Sequence, residues 1–431
     1  MKISKYNMFK KIIEGVVAYN SYTNSLIKLT DLEYEEYKSF SKDNSYKLDI
    51  DFKDGLYKCG FLIDDSVDEL DVLKYRMLSG RYDKRVLALT IAPTLNCNFR
   101  CIYCYEKNYY KNQKLDKETQ EAIIIYVREC ARDIDMLSVT WYGGEPLLAI
   151  DCIENLSKSF IEICKDNNIK YDAFIVTNGF LLNLHNAKVL KKCEINGIQI
   201  TLDGNEHSHD SKRFLVNGSK TYSTILKNIN ETSGYFENFV VRMNCSSDNM
   251  ESFRELHEHF KKTGIKNLEL YMSPIRNINE CFNNSSCICR DDFLDKEYSL
   301  FKSLPQNDFE KYILRKYPFL TKNICGADKL NTIVISPSGD MYKCWSDLGD
   351  ESLKFGNIKD LSKIDINKYI IYLNSEPYND EECNECKIYP ICLGGCPYES
   401  RVGYKDKCEY KEDYLMRCME DIVKIREGEA K

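Results

Sequence analysis

From residue 86 to residue 272, short apolar runs rich in β-branched residues alternate with longer amphipathic runs, and few folds accommodate this order. The strand-like runs are residues 86–93, 137–142, 173–176, 197–202, 239–244 and 268–272. Helical patterns between them include residues 117–131, 150–164, 223–232 and 250–262. Alternation of this kind is typical of a parallel sheet with helices packed outside it. We therefore predict an α/β fold with six β-α units.

Three cysteines follow the first predicted strand within eight residues. Cys97, Cys101 and Cys104 have the spacing C-x3-C-x2-C. An iron–sulfur cluster normally takes four Cys ligands, so three would leave one iron open to another molecule. The alternative is a structural zinc site or a few buried thiols. Zinc needs four Cys or His ligands, and the next candidates are as distant as Cys130 and His185.

The cysteine triad resembles that of the radical S-adenosylmethionine (SAM) enzymes. In that family the open iron of a [4Fe–4S] cluster binds SAM, and an electron cleaves SAM to a 5′-deoxyadenosyl radical. The resemblance implies that the six β-α units form an open, partial (β/α)6 barrel. It also implies a low-potential electron donor, such as ferredoxin or flavodoxin. The cluster loop would lie at the C-terminal end of the first strand, where β/α folds gather their ligand sites.

Further residues match positions at which radical SAM enzymes contact SAM or substrate. The segment WYGGEP ends the second strand, and paired glycines there let the backbone approach a ligand. The resemblance implies such contacts for Tyr103, Gly143, Gly144, Glu145, Asn178, Asp203, Arg242 and Asn244. For Asp203 a turn cap is the alternative. His207 and His209 lie in a polar loop and are expected to be exposed or structural, and no residue stands out as a general base.

The C-terminal third contains a second cysteine framework, whose spacing resembles the SPASM extension of radical SAM maturases. That extension holds two auxiliary [4Fe–4S] clusters, which with the SAM cluster makes three. The resemblance assigns Cys383, Cys386, Cys392 and Cys408 to the outer cluster and Cys325, Cys344 and Cys396 to the inner one. The inner cluster is then one ligand short. Either Cys281, Cys287 or Cys289 completes it, or the open iron binds a substrate thiolate.

The remaining cysteines fall on apolar helix or strand patterns and are expected to be small buried hydrophobic residues. They are Cys418, in a predicted C-terminal helix, and Cys59, Cys130, Cys152, Cys164, Cys193 and Cys245.

Residues 1–80 have the pattern of a separate small unit. The predicted elements are strands at 12–19, 25–29 and 56–63 and helices at 30–40 and 67–78, the first opened by a capping box, Thr30 to Glu33. This order resembles the winged-helix leader-recognition domains of peptide-modifying enzymes. The resemblance implies that a precursor leader adds a strand to the exposed sheet edge. The alternative is a scaffold domain that caps the barrel.

Length and charge limit the class of protein. A chain of 431 residues exceeds a single core, and we expect domains at 1–80, 81–310 and 311–431. The net charge of −7, with scattered Lys and Arg, argues against a nucleic-acid partner. The sequence has no continuous apolar signal segment and no stretch near the ~20 residues of a spanning helix. We expect a cytoplasmic protein without a membrane partner, in which 20 cysteines indicate metals rather than disulfides.

The sequence thus predicts a radical SAM/SPASM peptide maturase that forms a thioether between a Cys sulfur and a carbon of a ribosomally made precursor. Carbon–carbon crosslinking is the nearest variant. An anaerobic sulfatase maturase, which makes formylglycine, is a second alternative. In that family an acidic base can follow the cysteine that matches Cys344, but here Trp345 follows, and an indole cannot accept the proton. The third alternative is a non-enzymatic electron carrier, but this hypothesis does not explain the WYGGEP segment.

Overall fold

The computed structural model describes residues 1–110, 112–276, 287–404, 408 and 410–428. The strands are β1 (Lys2–Ile3), β2 (Asn7–Ile12), β3 (Gly15–Asn20), β4 (Ser25–Leu29), β5 (Leu62–Ile63), β6 (Val86–Ile91), β7 (Met136–Trp141), β8 (Lys170–Thr177), β9 (Ile195–Thr201), β10 (Asn238–Cys245), β11 (Leu268–Pro274), β12 (Thr332–Ile335), β13 (Asp340–Tyr342) and β14 (Gly356–Asn357). The helices are α1 (Asp31–Lys42), α2 (Ile50–Lys58), α3 (Glu69–Arg81), α4 (Lys117–Cys130), α5 (Ile150–Asn167), α6 (Leu184–Lys192), α7 (Glu206–Asp210), α8 (Tyr222–Thr232), α9 (Phe253–Thr263), α10 (Arg290–Lys302), α11 (Gln306–Leu314), α12 (Ile366–Tyr369), α13 (Glu381–Glu385), α14 (Tyr389–Cys392), α15 (Pro397–Arg401) and α16 (Glu412–Arg426).

The chain divides into two compact units. The first consists of residues 1–81, 290–325 and 375–431, and the second of residues 82–289 and 326–374. The three-domain division expected from the sequence stays a prediction. In the described part of the chain, no helix is long and apolar enough to cross a membrane.

One nine-stranded sheet organises the second unit, with the order β11-β10-β9-β8-β7-β6-β12-β13-β14. Strands β6 to β11 are parallel and neighbour one another in chain order. This order follows from successive β-α units, in which each crossover brings the next strand alongside the last. Strand β12 pairs with β6 in parallel, and β13 and β14 extend the sheet antiparallel. The α/β fold with a parallel sheet is confirmed, and it is consistent with the predicted partial barrel.

The strands of this sheet alternate in burial. In β7, Leu137, Val139 and Trp141 are buried, and the residues between them are partly exposed. Helix α5 packs on β7 and β8 through an apolar stripe that includes Leu156 and Phe160. Fully burying such side chains contributes about 1.5–3 kcal/mol each, so the sheet is a rigid support for the loops at its ends.

The predicted site residues follow the C-terminal ends of neighbouring parallel strands. Cys97 lies after β6, Gly143 after β7, Asn178 after β8 and Asp203 after β9, while Asn244 lies near the end of β10. Because parallel strands end at the same edge of a sheet, these residues are brought to one edge.

In the first unit, β2, β3 and β4 form an antiparallel sheet, and β1 pairs with β5. The predicted capping box is present: the Thr30 hydroxyl accepts the Glu33 N–H at 3.2 Å, and the Glu33 carboxylate accepts the Thr30 N–H at 2.7 Å. Helix α1 then packs Tyr37 and Phe40 against Val16 of β3. The likeness of residues 1–80 to a leader-recognition domain stays a prediction.

Two expectations for this region were wrong in detail. The predicted strand at 56–63 is mostly helix and turn, because the Asp49 carboxylate caps α2 by accepting the N–H groups of Asp51 and Phe52. Only Leu62–Ile63 is a strand. Strand β2 was missed, and the strand predicted from residue 12 begins at Gly15, after the hairpin turn.

Candidate active site

The loop that carries the cysteine triad is held by a second segment of the same unit. Residues 98–102 pair with residues 212–216 through three backbone hydrogen bonds of 2.8–3.1 Å. Within the loop, the Cys97 thiol accepts the Phe99 N–H at 3.4 Å, and the Cys104 N–H donates to the Cys101 carbonyl at 3.2 Å. The fold therefore fixes the backbone of the triad.

The three cysteines are half-buried, and the loss of solvent around their thiols opposes ionisation. Burial, with the negative charges of nearby groups, raises the pKa of Cys97 and Cys104. At Cys101 burial outweighs the opposing effect of Arg213, and the pKa is raised to about 11. A metal would reverse this, because coordinated thiols are deprotonated. Among the described residues, no group of three or more His, Cys, Asp or Glu side chains is arranged to hold a single metal ion. The cluster assignment of the triad stays a prediction.

The turn after β7 lies directly against the triad loop. The N–H of Gly144 donates to the Thr94 carbonyl at 3.2 Å, and that of Glu145 to the Asn96 carbonyl at 2.9 Å. A Cβ on Gly144 would lie 2.4 Å from the Asn96 oxygen, and Gly143 has a φ of +106°. Only glycines allow this approach without strain, which explains the pair in WYGGEP.

Glu145 joins two chain segments through three hydrogen bonds. Its buried carboxylate accepts the Leu147 N–H at 3.0 Å, the Thr177 hydroxyl at 2.6 Å and the Asn178 N–H at 2.8 Å. Burial raises its pKa, although these hydrogen bonds lower it in part. In the structure, the Glu145 carboxylate links the end of β8 to the turn after β7 by hydrogen bonds. Its predicted contact to the SAM ammonium stays a prediction.

Asn178 reaches the triad loop from the end of β8. Its side-chain N–H group donates to the Asn98 side chain at 2.8 Å and lies 3.9 Å from the Cys97 sulfur. This places an amide beside a predicted cluster ligand.

Four further predicted residues form one polar network. The Tyr103 hydroxyl donates to the Asp203 carboxylate and accepts the Asn244 side-chain N–H at 3.1 Å. Asn244 in turn accepts the Arg242 Nε–H at 2.8 Å. The polar atoms of these residues are therefore largely engaged with one another, and their contacts to SAM stay predictions.

Arg213 was missed from the sequence, although it lies at the centre of this network. Its Nη1–H group donates to the Tyr103 hydroxyl at 2.8 Å, and the side chain is buried. Burial alone would lower the pKa of Arg213, but the negative groups around it, Cys101 first, hold it well above its usual range. No local motif marks this position, because Arg213 reaches Tyr103 only through the pairing of residues 98–102 with 212–216.

The two loop histidines differ. His207 is exposed, whereas His209 is fully buried. The His209 Nδ1 atom accepts the Asp203 N–H at 3.2 Å, and its Nε2 lies 3.0 Å from the Thr221 hydroxyl. Burial holds the pKa of His209 well below its usual value. His209 is therefore a neutral structural residue.

Aromatic side chains connect the triad loop to Trp345, the residue after Cys344. Trp345 is 47% exposed and stacks on Tyr142, with ring centroids 5.4 Å apart and planes 17° from parallel. The Tyr142 hydroxyl hydrogen-bonds that of Tyr105. The neighbouring Glu106 is buried, and burial raises its pKa to about 7.

The four cysteines assigned to the outer auxiliary cluster all lie in the first unit. The pKa of Cys392 is raised to about 12, by burial first and then by the proximity of Cys408, Cys383 and Cys386. Cys383 and Cys386 also pack beside Tyr389. The four thiols are thus neighbours, as a shared cluster requires, while their role as ligands stays a prediction.

The residues assigned to the inner cluster come from both units. Cys325 and Cys396 belong to the first unit, and Cys344 belongs to the second. Their assignment stays a prediction. Of the candidate fourth ligands, Cys281 lies outside the described residues, Cys287 is half-buried and Cys289 is exposed.

The cysteines expected to be buried mostly are. Cys418 is fully buried in α16, as predicted. Of the others, Cys152, Cys164, Cys193 and Cys245 are buried, whereas Cys59 and Cys130 are half-buried.

Comparison with known proteins identifies the domain that contains this site. The Radical SAM superfamily profile matches residues 91–273. A cysteine-type anaerobic sulfatase-maturating enzyme of Clostridium novyi is 24% identical over 332 residues, which are 72% of this chain and 87% of that protein. A GTP 3',8-cyclase of Campylobacter jejuni is 35% identical over 133 residues, which are 30% of this chain and 39% of that protein.

Solved structures share the fold at low identity. The anaerobic sulfatase-maturating enzyme anSMEcpe with bound AdoMet superposes with a TM-score of 0.62 at 20% identity, covering 79% of this chain and 97% of its own. Streptococcus suis SuiB bound to its precursor peptide SuiA superposes with a TM-score of 0.55 at 16% identity, covering 96% of this chain and 99% of its own.

The residues at the sheet edge fit the group that this family binds. Three neighbouring thiols, a glycine turn against their loop and a buried guanidinium nitrogen with no hydrogen-bond partner among the described residues (Nε of Arg213) are consistent with an anionic cluster beside a bound ligand. Residues 91–273 are thus a domain of the Radical SAM superfamily, whose members bind SAM and a [4Fe–4S] cluster, and the protein is an enzyme.

Proposed function

We propose that this enzyme modifies a ribosomally made precursor peptide and forms a thioether between a Cys sulfur and a carbon atom. The observation that carries the proposal is how much of the chain each fold neighbour covers. SuiB, solved with a precursor peptide, covers 96% of this chain, whereas anSMEcpe covers 79%. The likeness concerns the fold. Both neighbours have been solved with a bound peptide, and the one solved with a precursor matches the larger share of this chain, which supports a precursor as the substrate.

In this proposal Cys97, Cys101 and Cys104 hold the SAM cluster. When bound, SAM and its cluster supply the one-electron chemistry that removes a hydrogen atom from the substrate. Tyr103, between Cys101 and Cys104, and Asn178, beside Cys97, would orient the bound ligand. A ferredoxin or flavodoxin would supply the electron.

The crosslinking step needs a second oxidation. Joining S–H and C–H groups releases two hydrogens: one leaves as an atom, and the other as a proton and an electron. The auxiliary clusters, with Cys383, Cys386, Cys392 and Cys408 as outer ligands, would accept that electron. An inner cluster held by Cys325, Cys344 and Cys396 would keep one iron for the substrate thiolate. Holding the sulfur beside the reacting carbon can contribute roughly 7–11 kcal/mol in favourable cases.

The first unit supports a role in peptide binding. Strand β4 pairs on one side with β3, and in the described part of the chain the sheet order ends there. Its residues Ser25 to Lys28 are partly exposed. An edge strand of this kind can accept an added strand from an extended peptide, as the leader of a precursor would be.

Formylglycine formation is the second candidate. Curated relatives with that name match 72% of this chain and 87% of their own length. Against it, Trp345 stacks on Tyr142 directly after Cys344, and an indole cannot act as the proton acceptor that aldehyde formation requires. Carbon–carbon crosslinking remains the nearest variant. The electron-carrier alternative is not supported, because the chain contains a radical SAM domain.

The neighbouring reading frames are first searched for a short Cys-containing peptide, and the test is anaerobic turnover of such a peptide with SAM and dithionite. We expect 5′-deoxyadenosine together with a peptide that has lost two hydrogen atoms and no longer reacts with iodoacetamide. The same mass loss with a reactive thiol would indicate a carbon–carbon bond. An aldehyde that reacts with a hydrazide probe would indicate formylglycine and overturn the proposal.

A further inference from the structure

A closed circuit of hydrogen bonds runs behind the triad loop. The Tyr103 hydroxyl donates to Asp203, whose N–H donates to His209 Nδ1 at 3.2 Å. His209 Nε2 lies 3.0 Å from the Thr221 hydroxyl, which donates to the Arg213 carbonyl at 2.7 Å. Arg213 closes the circuit by donating from Nη1 to the Tyr103 hydroxyl at 2.8 Å.

The hydrogen-bond partners assign each proton of this circuit to one donor atom. Because the Thr221 proton is directed to the Arg213 carbonyl, the Thr221 oxygen accepts from His209 Nε2–H. His209 Nδ1 then carries a lone pair and accepts the Asp203 N–H. A circuit in which every donor meets an acceptor specifies a single arrangement, and Tyr103 is fixed within it.

Arg213 brings a buried positive charge to this circuit. The residue is 7% exposed, and its guanidinium lies 5.7 Å from the centre of the Phe99 ring, within the triad loop. Its Nη1 is engaged by Tyr103, but its Nε has no acceptor among the described residues. A buried guanidinium is costly unless anions compensate it. The anionic groups around it are Asp203 and, when ionised, the Cys101 thiol.

We propose that Arg213 is a positioning residue with two effects on the SAM cluster. Through Nη1 it fixes the Tyr103 ring beside the triad, and through its charge it stabilises the reduced cluster. Reduction adds one electron, taken from the external donor, to a site that already carries three thiolates. A nearby buried cation therefore stabilises the reduced form more than the oxidised form.

The test uses the full-length, anaerobically reconstituted enzyme without any peptide. The midpoint potential is measured by EPR redox titration of the signal that changes on SAM addition, and SAM affinity by equilibrium binding. For Arg213→Gln we expect a more negative midpoint and a SAM Kd raised about tenfold, the size expected from losing a charge-assisted hydrogen bond.

Three further variants separate the two effects. Arg213→Lys keeps the charge but loses the fixed geometry of the guanidinium, so its midpoint should stay near wild type while SAM binding weakens. Tyr103→Phe removes only the hydroxyl and should behave in the same way. Lys220→Gln removes a charge from the same segment, but Lys220 is 75% exposed, so both quantities should be unchanged.

Wild-type midpoint and SAM affinity in Arg213→Gln would overturn the proposal. If Arg213→Gln cannot be reconstituted, Arg213→Lys and Tyr103→Phe decide: wild-type SAM affinity in both would overturn it, and weakened binding in both would support it. Since no peptide is used, these outcomes are independent of the proposed peptide chemistry.

Discussion

Replacing Glu145 by Gln should destabilise the second unit even without SAM. The carboxylate accepts two hydrogen bonds at Oε1, from Leu147 N–H and the Thr177 hydroxyl, and one at Oε2, from Asn178 N–H. A Gln amide has one acceptor atom and one donor group. In either orientation, one backbone N–H faces an N–H and is left without an acceptor.

The magnitude follows from these contacts. A hydrogen bond to a charged group contributes about 1.5–3 kcal/mol, and an unsatisfied buried N–H costs about 1–3 kcal/mol. With local relaxation we expect Glu145→Gln to lower the free energy of unfolding by about 2–4 kcal/mol. Thr177→Val removes one of the three bonds and also the acceptor of the Gly179 N–H, so it should cost about 1–3 kcal/mol. Thr177→Ser keeps the hydroxyl and both of its bonds, which makes it the matched control.

Tryptophan fluorescence during urea unfolding of the apo-protein is a suitable assay. The chain has two tryptophans, Trp141 and Trp345, and both lie in the second unit. An unfolding free energy for Glu145→Gln within about 0.5 kcal/mol of wild type would refute the structural role. A change confined to SAM affinity would instead favour the direct contact predicted from the sequence.

Three further predictions concern the site. Burial holds the pKa of His209 well below 6.5, so below pH 6.5 the unfolded state binds more protons than the folded state. The free energy of unfolding should therefore fall as the pH falls below 6.5, by up to about 1.4 kcal/mol per pH unit. His209→Asn should lose this pH dependence in the same urea assay, and an unchanged dependence would contradict the assignment. Replacing Cys97, Cys101 and Cys104 by Ala should remove about four irons per chain and abolish 5′-deoxyadenosine formation, so retained SAM cleavage would disprove the cluster assignment. Trp345→Ala loses the stacking contact with Tyr142 and should lower the free energy of unfolding by about 0.5–1.5 kcal/mol, measured by circular dichroism in urea. Trp345→Phe should keep most of that stability, and equal stability of Trp345→Ala and wild type would show that the stack contributes nothing.

The sequence was informative where a local pattern determines the structure. The strands β6 to β11 were located to within a few residues because each is a compact apolar run between amphipathic helices. Residues that follow those strands, such as Gly143 and Asn178, were then brought to one edge by topology alone. The capping box at Thr30 also formed, because it depends on residues only three apart.

The sequence was least informative where distant segments meet. Arg213 and Tyr103 are 110 residues apart, and no periodicity relates them. The three donors that Glu145 accepts, two of them from the end of β8, were not foreseen, while its predicted ligand contact stays a prediction. The predicted strand at 56–63 failed for a local reason, since the cap at Asp49 outweighed the apolar run that follows.

The leader-binding hypothesis calls for a point substitution, because deleting residues 1–80 would damage the first unit. Helix α16 packs on β2, β3 and β4, and ion pairs join Lys10 to Glu420 at 2.9 Å and Lys28 to Glu427 at 2.7 Å. Without the sheet, the apolar face of α16 would lose its partner. Loss of binding in such a deletion would therefore not distinguish leader recognition from folding.

Proline substitutions at Leu26 and Ile27 make the distinction. Both residues lie on β4, opposite Tyr19 and Ala18 of β3. In an antiparallel pair, the N–H groups of successive residues point alternately towards and away from the partner strand. Proline removes the N–H, and an edge strand tolerates this only where that N–H points outward.

One of the two variants should therefore keep its thermal stability by circular dichroism, and the other should lose it. In the tolerated variant we expect weaker binding of the full-length precursor with unchanged SAM cleavage, because an added strand needs the outward N–H. Wild-type precursor affinity in that variant would exclude the β4 edge as the leader site. Since β2 forms the other edge of this sheet, the same result at an outward N–H of β2 would leave the scaffold role that the sequence offered as its alternative.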